Sequence, residues 1–117
     1  MRALIVDDDE TFCQFLAEVL EGSGIEAVWT TDGPQGYEMS RRHHYDLFVS
    51  DVRMPSMLGT ELAEKLKRDD PGAKIILISA FADEALLEQS RALGISLLSK
   101  PFTPDRLLEA VSQVLTA

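Results

Sequence analysis

Short apolar runs recur at residues 3–6, 27–30, 47–50, 75–79 and 96–99, and most show little polar alternation. Such runs suit strands buried on both faces by covering helices. Between them, apolar residues return every three or four positions, the period of an amphipathic helix. Phe12, Phe15, Leu16, Val19 and Leu20 predict one face of a first helix, stopped by Gly22 or Gly24. Pro34 suits the first turn of a second helix running towards His43. Leu58, Leu62 and Leu66 mark a third that ends before Pro71-Gly72, and Asp83 caps a fourth that Gly94 closes. Thr103, with Pro104 behind it, opens a fifth lined by Leu107, Val111, Val114 and Leu115. One strand per helix, five times over, predicts an α/β fold of the (βα)5 kind. Its five parallel strands form a doubly wound open sheet, since a barrel of this type needs eight such units.

The bulk properties narrow this picture. At 117 residues and 45% apolar, the chain suits one domain over 1–117, with a core that needs no staple. No internal repeat or low-complexity tract interrupts it. Cys13 is the sole cysteine, so no internal disulfide forms. Together with the absence of a signal-like start, this points to a reducing cytoplasm. No apolar stretch approaches the roughly 20 residues that span a bilayer. A formal net charge of -9 argues against direct nucleic-acid or anionic-membrane binding. It suits a basic partner surface or a bound divalent cation.

Candidate chemistry follows from the strand ends, because ligands of open parallel sheets bind beyond the carboxyl ends of the strands. The first strand runs into Asp7, Asp8 and Asp9, the third into Asp51, the fourth into Ser79-Ala80 and the fifth into Lys100-Pro101. Only the second offers nothing beyond Thr30, Thr31 and Asp32. Clustered carboxylates raise one another's pKa unless a cation compensates, and an all-oxygen donor set favours Mg²⁺. Lys100 brings a mobile ammonium and Ser79 a hydroxyl donor, each suited to a phosphoryl oxygen. A carboxylate nucleophile, a metal and two donors describe a phosphoryl-transfer site. Asp51 is the preferred acceptor, because the third strand is central in such a sheet. Taken alone, an aspartate there more often begins a turn or caps a helix, and the company of the other strand ends decides the matter.

Other conspicuous residues have plainer readings. Asp9 and Glu10 suit the N-terminal dipole of the first helix. His43 and His44 are adjacent, share no helical face and suit a helix end. Met54 and Met57 fill gaps, Trp29 packs, and Cys13 is a small buried hydrophobe. Glu84, Glu88, Arg91, Asp105, Arg106 and Glu109 form either a solvated rim or a contact surface.

With these residues in place, the chain resembles the receiver domains of bacterial two-component response regulators along essentially its whole length. The matching segments are Leu4-Ile5-Val6-Asp7-Asp8, Tyr45-Asp46-Leu47 leading to Asp51, Met54-Pro55, Ser79-Ala80 and Lys100-Pro101-Phe102. The resemblance implies a flavodoxin-like strand order 2-1-3-4-5 and a phosphoacceptor role for Asp51, charged by a sensor histidine kinase. It implies Mg²⁺ held by Asp7, Asp8, Asp51 and the backbone carbonyl of Arg53, with Ser79 and Lys100 on the phosphoryl oxygens. It further implies a cis Lys100–Pro101 bond and a dimer or partner face made by the fourth and fifth helices with the fifth strand. Four positions depart from the pattern. Leu97 stands three before the lysine, where the family often carries the aromatic residue that reports phosphorylation. Leu58 replaces a common acidic residue. Arg53 and Phe81 occupy two variable positions flanking the path of the water that hydrolyses the acyl phosphate, and bulky Phe81 is expected to shield it.

Two other classes compete with a phosphorylation switch. One is a constitutive interaction module that keeps the fold without using phosphate; Leu97 favours it and the complete strand-end set opposes it. The other is a haloacid-dehalogenase-like phosphatase, which would need a second aspartate where Arg53 stands. Beyond its own phosphoryl transfer and dephosphorylation, no enzymatic turnover is expected.

Overall fold

The computed structural model describes residues 1–117. Five strands alternate with five helices: β1 (Arg2–Val6), α1 (Glu10–Gly22), β2 (Glu26–Thr30), α2 (Gly33–Arg42), β3 (Leu47–Asp51), α3 (Gly59–Asp69), β4 (Ile75–Ser79), α4 (Glu84–Leu93), β5 (Ser96–Ser99) and α5 (Pro104–Thr116). All four strand pairings are parallel and the order is β2-β1-β3-β4-β5. The expected (βα)5 open sheet is therefore present, with β3 central. Winding reverses between β1 and β3, and the crevice at that reversal is where an open sheet offers a site.

Successive strand residues point to opposite faces, which splits the core in two. Ala3, Ile5, Val49, Ile76 and Ile78 pack with α1 and α5, whereas Leu4, Val6, Phe48, Ile75 and Leu77 pack with α3 and the inner edges of α2 and α4. Four helices carry a side-chain cap. Asp9, Asp32, Asp83 and Thr103 accept from the backbone N–H groups of Phe12, Gln35, Leu86 and Arg106 respectively. Each such cap contributes about 1 kcal/mol. Gly94 closes α4 in the left-handed region at φ 69°, where glycine has no Cβ penalty.

Two expectations need adjustment. The deep face of α1 is Cys13, Leu16, Ala17 and Leu20, whereas Phe12, Phe15 and Val19 sit half-buried at its border. The bulky residues drew the predicted stripe one position away from the small ones that fit closest to the sheet. Leu58 is not on the buried stripe of α3: it stands at the cap position without a side-chain hydrogen bond and is 46% exposed. An acidic residue there would have capped the helix, so this departure from the family pattern bears on helix stability rather than on chemistry.

Candidate functional site

The strand ladder continues past the ends of the strands and fixes the site backbone. The Asp7 N–H donates to the Thr30 carbonyl at 3.2 Å, Val52 N–H to Ile78 at 3.1 Å and Lys100 N–H to Ser79 at 2.8 Å. Behind β3, the first residue of α3 lies so close that a Cβ on Gly59 would overlap the Asp51 carbonyl. The Gly59 N–H donates to Val52 O at 2.7 Å, which pins the backbone directly after Asp51. Sequence patterning gave no sign of this role for Gly59. The Lys100–Pro101 peptide is cis, as expected.

Carboxylate oxygens of Asp7, Asp8 and Asp51 come within 4.8 Å of one another. Their surroundings differ. Asp7 is buried, and its Oδ1 accepts from the Asp9 N–H at 2.9 Å while Oδ2 has no partner. Asp8 is exposed on the turn. Asp51 is half-buried, with its Oδ1 3.9 Å from the Lys100 ammonium. Burial pushes the Asp7 carboxyl up to about 6; the Asp9 N–H and Lys100 oppose this, and Asp51 and Asp8 add to it. Burial likewise raises Asp51, against the pull of Lys100 and the Val52 N–H. Three oxygens with one buried lone-pair face unmet are a donor set suited to a hard divalent cation. Cys13 adds nothing to it: burial pushes its thiol up to about 12, and Sγ donates to the Asp7 carbonyl at 3.2 Å.

Lys100 and Ser79 arrive on neighbouring strands, but with different engagements. The Lys100 ammonium faces Asp51 on one side and the ring of Phe12 on the other, 4.3 Å from its centroid. Phe12 was legible in the sequence only as part of a helix face. Ser79 is buried and its hydroxyl is engaged by the following loop, donating to the Phe81 carbonyl at 2.8 Å and accepting from the Phe81 N–H at 3.1 Å. Arg53 is exposed and lines a shallow hollow with Val52, Leu58, Phe81 and Leu86. The plainer readings also have partners: Asp9 caps α1, Met54 is buried in the second core, Trp29 packs on the first, and exposed His44 pairs with Asp46 at 3.2 Å.

The profile of the response regulator receiver domain matches residues 3–112, and the chain belongs to that family. A response regulator receiver protein of Anaeromyxobacter sp. (strain Fw109-5) is 38% identical over 109 residues, covering 92% of the chain. The chain spans only 46% of that relative's length. The receiver protein CpdR of Brucella abortus (strain 2308) is 34% identical and matches at nearly full length, covering 99% of this chain and 98% of CpdR. Among solved structures, CheY in the CheX–CheY–BeF3–Mg²⁺ complex of Borrelia burgdorferi superposes with a TM-score of 0.92 at 26% identity, covering 97% of this chain and 88% of that one. No helix is long and apolar enough to cross a membrane.

Proposed function

We propose that this chain is a phosphorylation-dependent signalling switch, in which Asp51 accepts a phosphoryl group from a partner histidine kinase. The observation that carries this reading is the meeting of Asp7, Asp8 and Asp51 within 4.8 Å, with the Lys100 ammonium 3.9 Å from Asp51. Of the three carboxylates, Asp7 is buried and held by the Asp9 N–H, and Asp8 stands on the open turn. Asp51 alone is ion-paired with the lysine. Its oxygen attacks the phosphorus as the donor bond breaks, and that bond's electron pair leaves with the donor. Lys100 takes up the charge gathering on a phosphoryl oxygen.

Asp7, Asp8, Asp51 and the Arg53 carbonyl would hold Mg²⁺, whose bound charge neutralises phosphoryl oxygens. The unpartnered Asp7 Oδ2 supports that assignment, as does the Mg²⁺ named in the Borrelia complex. For Ser79 to donate to a phosphoryl oxygen, its hydroxyl must give up the bond it donates to the Phe81 carbonyl. Phosphate at Asp51 thereby draws on the β4–α4 loop, and a shifted equilibrium of that loop alters the α4–β5–α5 surface offered to an effector or a second copy.

Incubation with Mg²⁺ and acetyl phosphate, read by intact mass, tests the reading. One phosphoryl group should appear on the protein and be lost in Asp51→Asn. No gain would favour a constitutive module, and steady turnover of varied phosphate esters a phosphatase.

A further inference from the structure

Resting on the phosphoacceptor reading, we infer that Phe12 is a positioning residue for phosphoryl transfer, its ring holding the Lys100 ammonium at the site. A lysine head group is a point charge on four freely rotating carbons, so its location must come from its contacts. Asp51 supplies one contact, but at 3.9 Å the pair lies beyond hydrogen-bond length and leaves the ammonium loosely placed. The second contact is the ring of Phe12, 4.3 Å from centroid to Nζ, well inside the roughly 6 Å range of a cation–π attraction.

The ring is itself fixed. The Phe12 backbone N–H donates to the Asp9 carboxylate at 3.2 Å, which ties that residue's backbone to the acidic turn. Phe102 meets the ring edge-on at 6.0 Å, and Phe15 lies tilted beside it at 5.8 Å. Phe102 lies two residues beyond Lys100, so one aromatic group braces both the lysine's own loop and the helix that faces it. Charge bookkeeping also favours the ring. When Asp51 becomes an acyl phosphate, the free carboxylate that attracted Lys100 is gone, and the ammonium must turn to a phosphoryl oxygen. The neutral ring is unaltered by the reaction and keeps the head group at the pocket through that exchange.

Phe12→Leu keeps a large apolar side chain and a good helix former but removes the π face, whereas Phe12→Tyr and Phe12→Trp retain it. The initial rate of acetyl-phosphate-dependent phosphorylation at saturating donor and Mg²⁺ should fall roughly two- to fivefold in Phe12→Leu and return in Phe12→Tyr. In the unphosphorylated protein, the Lys100 ε-methylene protons should show an upfield ring-current shift that Phe12→Leu loses and Phe12→Trp keeps. A shift unchanged in Phe12→Leu, or a leucine variant phosphorylated at the wild-type rate, overturns the role of the ring. A rate that falls equally in the tyrosine variant overturns it too, because any packing defect would do that. Failure of the wild-type protein to gain phosphate overturns the functional reading instead.

Discussion

The centre of the sheet's carboxyl edge and its β5 end are built to different standards. On the β1–β3 side, α1 buries Cys13, Leu16, Ala17 and Leu20, and β3 buries four of its five residues. At the β5 edge, beyond the fully buried β4, α4 buries Ser90 alone and β5 buries Leu98 alone. Both sides border one site, yet the carboxylates hang from the first and Ser79 and Lys100 lead into the second. Low burial means low local opening free energy. The difference shows where the fold has room to shift: the acidic group stands on the tightly packed centre, and the lightly buried elements are α4 and β5 at the edge.

Truncation should expose that contrast most strongly. Leu16→Ala, at a fully buried position, should lower unfolding stability by about 2–5 kcal/mol. Leu87→Ala, on the open side of α4, should stay within about 0.5 kcal/mol. Urea titration of both variants checks the pair, and equal losses would erase the asymmetry.

The packed side also carries an electrostatic liability. The Asp7 carboxyl titrates near 6 in the folded chain, above its unfolded value, so the folded state holds the proton more tightly. Stability therefore falls as pH rises from the ordinary carboxylate range through about 6, and the deficit is complete at neutral pH. Asp7→Asn removes it while keeping an acceptor for the Asp9 N–H. The variant should be more stable than wild type by about 1–3 kcal/mol at neutral pH, with no difference below about pH 3.5. Added Mg²⁺ should narrow the neutral-pH gap by stabilising the wild-type carboxylate. Denaturation at several pH values, with and without Mg²⁺, measures both effects.

On the loose side, the liability is a hydroxyl. Ser90 Oγ is buried and finds no partner, in the one fully buried residue of α4, beside Leu86 and Leu93 that pack on the second core. Ser90→Ala should stabilise the chain by about 1 kcal/mol, combining relief of an unmet hydroxyl with better helix propensity. Slower amide exchange confined to α4 and its neighbours would sharpen the comparison. A uniform change across the sheet would blunt it.

Much of this was legible in the sequence, for identifiable reasons. Strands buried on both faces write themselves as apolar runs, and the caps at Asp83 and Thr103 follow from residue type. Strand ends also placed Asp7, Asp8, Asp51, Ser79 and Lys100 together, because parallel topology carries all of them to one edge. What stayed hidden depends on distance across the fold. Gly59 matters through its approach to the Asp51 carbonyl and Phe12 through its ring over Lys100, and neither relation has a local signature. The Ser79 hydroxyl was placed at the right strand end, but its engagement by Phe81 needed the loop's backbone.

Phe81 gives the smallest expected effect on stability and the finest test of the contrast. Its side chain is 70% exposed, yet its backbone holds the Ser79 hydroxyl through both N–H and carbonyl. Phe81→Ala leaves those backbone bonds available and removes little buried area, so stability should change by no more than about 0.5 kcal/mol. The ring shares the hollow beside Val52 and Arg53, directly after Asp51. If it screens the acyl phosphate from water, the alanine variant should lose its phosphoryl group a few times faster at unchanged stability. Following the decay of the phosphorylated mass after donor removal decides the matter: an unchanged decay rate would show that the ring stands clear of the water's path. A faster decay would place control of the phosphate's lifetime on the loose side of the sheet, apart from the carboxylates on the packed one.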